Sequence, residues 1–115
     1  MSNRERLEVL RSVDMLSGAD DAMLAALLPF FDEVRVPAGT VVAREGRLCH
    51  ELVVVAGGEL EVCRRGRASR LGVGGAFGWN EMRERGRHDA TVLTVAPSHL
   101  LVMSHAQFRA ASAVA

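Results

Sequence analysis

Apolar residues in the first thirty positions recur at the spacing of an α-helix. One short helical stretch runs past Leu7 and Leu10 and is broken at Ser17-Gly18. A second stretch has Met23, Leu24, Leu27 and Leu28 at helical spacing. Asp20 directly before it is a candidate N-cap, and Pro29 disfavours its continuation. The pattern therefore predicts an N-terminal helical part over residues 1–32.

From residue 33 the apolar positions change to the alternating period of a β-strand. Val34 and Val36 alternate with charged residues, and the run 52–55 is apolar throughout. Leu60 and Val62 alternate again, and later strands are predicted near 90–95 and 99–103. Short strands separated by glycine turns predict an antiparallel barrel or sandwich. We therefore expect a mainly β protein, with a β-roll over residues 33–104 and a short helix over 105–115.

Composition favours one folded domain and excludes two kinds of chemistry. The chain has 115 residues, of which 49% are apolar, enough for one core and too apolar for disorder. All 14 basic residues are arginine. Because lysine is absent from the sequence, a Schiff-base lysine and a P-loop lysine are excluded. We expect a single domain over residues 1–115.

Charge is divided unevenly along the chain, although the formal net charge is zero. Residues 1–33 carry three arginines against seven carboxylates, whereas residues 64–87 carry seven arginines against two. The zero net charge argues against nucleic-acid binding by the chain as a whole. The basic segment is either a solvated face, which we favour, or a surface that meets an anion.

The sequence shows no feature of secretion, membrane spanning or catalysis. Its apolar runs fall short of the ~20 residues that a membrane helix needs, and its start lacks the apolar core of a signal peptide. Cys49 and Cys63 are far apart and expected to be reduced, which predicts a cytoplasmic protein. The four histidines form no H-x-H pair, and no serine or cysteine has a nucleophile's setting. We therefore expect no catalytic residue, metal site or cofactor, and no enzyme.

Several short motifs occur in a fixed order along the predicted roll. They are Val34-Arg35-Val36-Pro37-Ala38-Gly39-Thr40-Val41-Val42 with Glu45-Gly46, then Leu52–Val55 with Gly58–Val62, then Gly74, Phe77 and Gly78, and finally Ala90-Thr91-Val92. In this order and spacing they resemble the cyclic-nucleotide-binding domain family, the sensor fold of catabolite-activator-type regulators. The resemblance covers about residues 7–112. It implies a double-stranded β-helix, a jelly-roll-like β-roll, with the family's phosphate-binding cassette over 74–92.

Two positions that the family uses to hold a cyclic nucleotide differ in this chain. The resemblance implies a short helix after Phe77-Gly78 whose backbone N–H groups, near Asn80–Met82 here, hold the phosphate. It also implies a glutamate for the ribose hydroxyl and an arginine for the phosphate, but these positions are Trp79 and His88. Neutral histidine lacks the bidentate, charge-assisted bonds of arginine. Asp89 also adds a negative charge to the cassette. The cassette is therefore interpreted as degenerate, lacking groups that the family uses to bind cAMP and cGMP.

Nearby residues offer partial substitutes for the two missing groups. Glu81 substitutes for the glutamate, and Arg85 or Arg87 for the arginine, only if the short helix is re-registered. The reason is that the separation along the chain from Glu81 to either arginine is shorter than the separation from Trp79 to His88. Trp79 either fills the pocket, which we favour, or stacks on a ligand base or a partner. The candidate ligand-binding residues are Gly75, Phe77, Gly78, Trp79, Asn80, Glu81, Met82, Arg87, His88, Asp89, Ala90 and Thr91.

Two functions from different classes remain open at this point. The first is a regulatory sensor of a cyclic nucleotide or another small anion. The second is a ligand-independent module that binds a protein partner through Trp79, the arginines or the surface that a lid helix covers in the family. The stretch 105–115 is too short for a lid helix followed by a helix-turn-helix, so we expect no direct DNA binding. An exposed apolar patch favours the partner, whereas free donors in a pocket favour the sensor.

Overall fold

The N-terminal part is helical, and capping residues set its boundaries. A computed structural model describes residues 1–114, in which α1 spans Asn3–Arg11 and begins after a capping box at Ser2. α2 spans Asp21–Leu27, and the predicted cap is confirmed, because the Asp20 carboxylate accepts from the Met23 N–H at 2.8 Å. Short 3-10 turns over Asp14–Leu16 and Leu28–Phe30 join these helices to each other and to the first strand.

Within residues 1–114, eight strands form two four-stranded antiparallel sheets. They are β1 (Asp32–Val36), β2 (Val41–Ala43), β3 (Glu51–Gly57), β4 (Leu60–Arg64), β5 (Arg67–Leu71), β6 (Ala76–Phe77), β7 (Thr91–Thr94) and β8 (Ser98–Ser104). One sheet has the order β1-β8-β3-β6 and the other β2-β7-β4-β5. A short helix, α3 (Trp79–Glu84), connects β6 to β7, and α4 (His105–Val114) follows β8. The mainly β roll with short helices is confirmed.

The core lies on both faces of β3. Leu52 and Val54 belong to a cluster formed with the helices, whereas Val53 and Val55 belong to a cluster between the two sheets. Because successive side chains of a strand point to opposite faces, both faces of this strand are buried. This explains why the run 52–55 is apolar throughout rather than alternating.

The pattern of apolar residues does not predict β5 or β6. The first four residues of β5 are exposed, and β6 has only two residues, so neither shows an alternation of apolar and polar positions. Pairing with β4 and β3 holds them in place. The helix predicted over 105–115 corresponds to α4, and the last residue of that range, Ala115, lies outside the described residues. Among the described helices, none has the length and apolar character needed to cross a membrane.

Candidate ligand-binding site

Gly78 allows the chain to turn from β6 directly into α3. Its φ is +95°, and a Cβ at this position would lie 2.5 Å from the carbonyl oxygen of Glu51. A side chain is therefore both strained and crowded here. The Met82 N–H donates to the Gly78 carbonyl at 2.9 Å, which starts α3 immediately after the glycine. This start places Trp79, Asn80 and Glu81 in the wall of a cavity.

The cavity has a volume of about 330 Å³ and is called the cassette pocket below. The β4–β5 hairpin contributes Val62, Arg64, Ser69, Arg70 and Leu71 to its lining. The predicted cassette contributes Phe77 to Glu81, His88 to Ala90 and Val92. Small-molecule pockets in proteins have volumes of roughly 300–1,000 Å³, so the cassette pocket lies at the lower end of that range.

An ion pair connects the hairpin side of the pocket to the cassette side. Nε and Nη2 of Arg64 donate to the Asp89 carboxylate at 3.1 and 3.2 Å. The bonds from Arg64 hold the pKa of Asp89 below its ordinary value. The two side chains are 52% and 64% exposed, so the pair contributes at most about 1 kcal/mol to stability. Arg64 can therefore exchange Asp89 for another anion at little cost.

The other charged groups of the pocket differ in whether they are paired. Arg70 Nη1 and Nη2 lie 3.7 Å from a Glu59 oxygen and 3.8 Å from a Glu61 oxygen. None of the ion pairs found within residues 1–114 includes Glu81. Glu81 therefore leaves a carboxylate in the pocket lining that is free to accept hydrogen bonds from a ligand.

His88 occupies the position where the family places its phosphate-binding arginine, and its ring lies against Phe77. The two ring centroids are 6.4 Å apart, with an edge-to-face angle of 63°. The backbone of His88 pairs with the turn before β3, since its N–H donates to Arg47 and its carbonyl accepts from Gly46, both at 2.9 Å. The imidazole is thus an apolar contact for Phe77 as well as a polar group of the pocket.

Trp79 lies at the boundary between the cassette pocket and the helical core. Its indole meets the ring of Phe108 in α4 edge to face, with centroids 5.5 Å apart at 73°. The pocket beside it is open, which differs from the expectation that Trp79 fills it. Phe108 is the physical reason, because it offers the indole an apolar partner outside the pocket.

Most of the predicted site residues line the cassette pocket. These are Phe77, Gly78, Trp79, Asn80, Glu81, His88, Asp89 and Ala90. The other four lie elsewhere. Met82 is buried in the helical core, the Gly75 carbonyl accepts from the Val55 N–H, and the Thr91 hydroxyl accepts from the Glu45 N–H. Arg87 Nη1 donates to the Gly46 carbonyl at 2.9 Å and does not line the pocket.

Several lining residues of the cassette pocket were not among the candidates from the sequence, and Arg64 is the one that pairs with Asp89 of the cassette. The family motifs direct attention to residues 74–92, whereas Arg64 ends the strand β4. A signal was present, because Leu60, Val62 and Arg64 alternate along one strand. Leu60 and Val62 face the core between the sheets. Because side chains two residues apart in a strand point to the same side, Arg64 is expected to point toward the same interior, at the mouth of the roll.

The described residues do not offer an activated nucleophile or a metal site. Burial raises the pKa of the Cys49 thiol, and a hydrogen bond with Glu61 raises the pKa of the Cys63 thiol. Both thiols are therefore less nucleophilic than an ordinary cysteine at neutral pH. Within residues 1–114, no three side chains of the His, Cys, Asp or Glu types come together as a metal site would require.

A family model, the cyclic nucleotide-binding domain, matches residues 33–113 of this chain. No curated protein is similar enough in sequence to match it. The matched range runs from the beginning of β1 into α4 and includes every residue of the cassette pocket except Met15.

Several solved structures have a similar fold. The regulatory domain of Toxoplasma gondii PKA with cAMP is 25% identical, with a TM-score of 0.82, over 94% of this chain and 43% of that one. Thermus thermophilus catabolite activator protein is 23% identical, with a TM-score of 0.77, over 87% and 50%. The CBD2 domain of PKAR, bound to Sp-2Cl-cAMPS, is 12% identical, with a TM-score of 0.81, over 95% and 78%. This chain therefore spans half or less of the first two proteins.

Proposed function

This chain belongs to the cyclic nucleotide-binding domain family, and on that basis we propose that it is a non-enzymatic regulatory domain whose cassette pocket binds a small anion of the cyclic-nucleotide class. Arg64, rather than His88 or Arg87, holds the anion. The observation that carries this proposal is the exposed Arg64–Asp89 ion pair at an open cavity of about 330 Å³. The cavity has room for a ligand, and the pair supplies a guanidinium that can bind a ligand in place of Asp89.

A phosphate competes well with Asp89 for Arg64. Arginine forms two parallel, charge-assisted hydrogen bonds with a phosphate, as it does with a carboxylate. Because the Arg64–Asp89 pair is largely solvated, breaking it forfeits at most about 1 kcal/mol. The displaced Asp89 carboxylate then faces water. Glu81 supplies the acceptor for a ribose hydroxyl from the first turn of α3.

The ligand affinity is expected to be modest. The displaced Asp89 stays close to the anion and repels it, and His88 stands where the family resemblance implies an arginine with bidentate, charge-assisted donors. We therefore expect micromolar rather than nanomolar binding of cAMP or cGMP.

The test is a calorimetric titration of cAMP and of cGMP into the full chain, repeated with Trp79 fluorescence. Arg64→Ala is expected to weaken binding by about tenfold or more, since a hydrogen bond to a charged group contributes ~1.5–3 kcal/mol. Arg67→Ala is the matched control, because Arg67 is the register partner of Arg64 on the same hairpin and does not line the pocket. It should leave the affinity within about twofold, because Arg67 is an exposed, solvated charge that does not line the pocket.

Two outcomes would contradict the proposal. If the unmodified protein shows no heat and no fluorescence change up to millimolar cAMP or cGMP, the sensor function is wrong. If binding occurs but Arg64→Ala and Arg67→Ala behave alike, the ligand is not held by Arg64.

A protein-binding module is the second candidate, and one observation favours it. A cavity of about 170 Å³ lies between the N-terminal helices and α4, and almost its whole lining is apolar, including Met15, Met23, Trp79 and Phe108. Met15 and Met23 are each more than 40% exposed. Methionine-rich apolar surfaces suit helical partners of varied shape.

Both thiols are free, which supports the proposal that the protein works in the cytoplasm.

A further inference from the structure

A second groove, almost separate from the cassette pocket, is lined by arginines. Its volume is about 510 Å³, and it lies between β2, the turn that precedes β3, and residues 87–88. Arg44, Arg47 and Arg87 line it, together with His50 and Glu51. His88 is the one lining residue that it shares with the cassette pocket. We call it the arginine groove.

Backbone hydrogen bonds hold the two sides of the arginine groove together. The turn of residues 44–47 closes through a bond from the Arg47 N–H to the Arg44 carbonyl at 3.1 Å. Reciprocal bonds join His88 to Gly46 and Arg47, and Leu48 forms a bridge with Arg87. Arg87 also donates to the Gly46 carbonyl at 2.9 Å. The three guanidinium groups therefore extend from a frame that is formed before any partner arrives.

The positive charge of the groove is not neutralised within the chain. None of the ion pairs found in the described part of the chain includes Arg44, Arg47 or Arg87. Glu51 is the carboxylate that lines the groove, and Glu45 lies in the neighbouring turn without lining it. Three arginines against one glutamate leave the lining positive at neutral pH, so it attracts an anionic partner.

Apolar groups and a free strand edge narrow the kind of partner. Val41 and Leu48 line the groove and are 39% and 45% exposed, so the groove offers two apolar side chains to a partner. β2 forms one wall, and within residues 1–114 it is the outer strand of its sheet, with β7 as its one partner strand. An outer strand presents backbone donors and acceptors to an added strand. Nucleic acid would use neither the apolar groups nor this edge.

From these observations we propose that the arginine groove binds an extended acidic segment of a protein partner, with apolar residues between its carboxylates. Its carboxylates pair with Arg44, Arg47 and Arg87, and its apolar side chains cover Val41 and Leu48. In an extended chain successive side chains alternate in direction, so carboxylates and apolar groups point to opposite sides of the added strand. The proposal does not depend on ligand binding in the cassette pocket, since the two sites share only His88.

The probe is a labelled seven-residue peptide in which Glu and Val alternate, titrated into the full chain and followed by fluorescence anisotropy and by backbone and arginine Nε NMR signals. We expect saturable binding that shifts the signals of Arg44, Arg47 and Val41. Arg47→Ala is expected to weaken binding by about tenfold, because it removes charge-assisted bonds. Arg83→Ala is the matched control, since Arg83 is an exposed arginine in α3 that does not line the groove. It should change the affinity by less than about twofold, because a solvated charge outside the contact is screened.

Four results would overturn the proposal. The first is no binding of the Glu/Val peptide up to millimolar, with thermal melting showing that the protein is folded. The second is equal weakening by Arg47→Ala and Arg83→Ala. The third is equal binding of a Glu/Ser peptide, which would mean that the groove recognises charge alone. The fourth is dimerisation of the chain that Arg47→Ala abolishes, which would make a second copy's acidic N-terminal part the occupant.

Discussion

At the scale of single residues, we expect Asp89 to determine how readily the cassette pocket accepts the proposed anion. It accepts two hydrogen bonds from Arg64 and places a negative charge beside the guanidinium that is proposed to hold the phosphate. His88 next to it stands where the family resemblance implies an arginine, and it lacks the planar fork of donors that arginine offers to a phosphate. The pocket therefore has its cation on β4 and a competitor for that cation in the cassette.

Asp89→Asn is predicted to strengthen the binding of cAMP. The amide keeps the shape of the side chain but removes the charge that competes for Arg64, so an increase of several-fold in affinity is expected. Calorimetric titration at neutral pH measures it. Asp21→Asn is a suitable control, because it also removes a carboxylate that pairs with an arginine, far along the chain from the pocket. Unchanged or weaker binding by Asp89→Asn would show that Asp89 does not compete with the ligand.

The Asp89→Asn variant also has a predictable effect on the free energy of unfolding. Because Arg64 lowers the pKa of Asp89, the pair stabilises the fold above the aspartate's unfolded pKa and stops doing so as pH falls through the lowered value. The difference in free energy of unfolding between the unmodified protein and Asp89→Asn should be no more than about 1 kcal/mol at neutral pH, since the pair is exposed. It should disappear in acid, where denaturant titrations can follow it.

At the scale of elements, the segment from β6 through α3 depends on one glycine. Gly78 combines a φ of +95° with a carbonyl oxygen 2.5 Å from where a Cβ would be. The sequence motif Phe77-Gly78 resembles the family's cassette, and so α3 was predictable from it. β5 was not, because its exposed residues carry no apolar alternation and only its pairing with β4 makes it a strand.

Gly78→Ala is predicted to destabilise the protein by about 1–3 kcal/mol, because the added Cβ is strained and meets the Glu51 carbonyl. For a domain of this size the melting temperature falls by roughly 4 °C per kcal/mol. Thermal melting followed by circular dichroism measures the change. Gly18→Ala is the control, since Gly18 has no positive φ and a Cβ added there would meet nothing within 4 Å. Equal melting temperatures for the two variants would mean that α3 tolerates a shifted start.

At the scale of the whole molecule, the helices and the cassette meet at Trp79. Its indole contacts Phe108 of α4 on one side and lines the cassette pocket on the other. From the sequence, Trp79 was expected either to fill the pocket, which was favoured, or to stack on a ligand base or a partner, because nothing in the local pattern shows that α4 returns to this point. Contacts between residues so far apart in the chain arise from the closure of the roll. The same holds for Arg64 and Asp89, which are 25 residues apart.

Ordered glycine turns make the family assignment predictable from the sequence, whereas the alternation of Leu60, Val62 and Arg64 was the one sequence signal for the position of Arg64 in the pocket. Arg87 lay in the expected segment, but the bridge between Leu48 and Arg87 directs it to the arginine groove. Arg64 lay outside that segment and reaches the pocket from β4.

The most direct test of this account is an NMR titration of cAMP into the protein that follows the side-chain Nε–Hε signals of the arginines. We expect a saturable shift of the Arg64 signal, as its partner changes from Asp89 to phosphate, while the Arg87 signal keeps its position. A shift of Arg87 with Arg64 unmoved, or no shift of either signal at saturating cAMP, would contradict it.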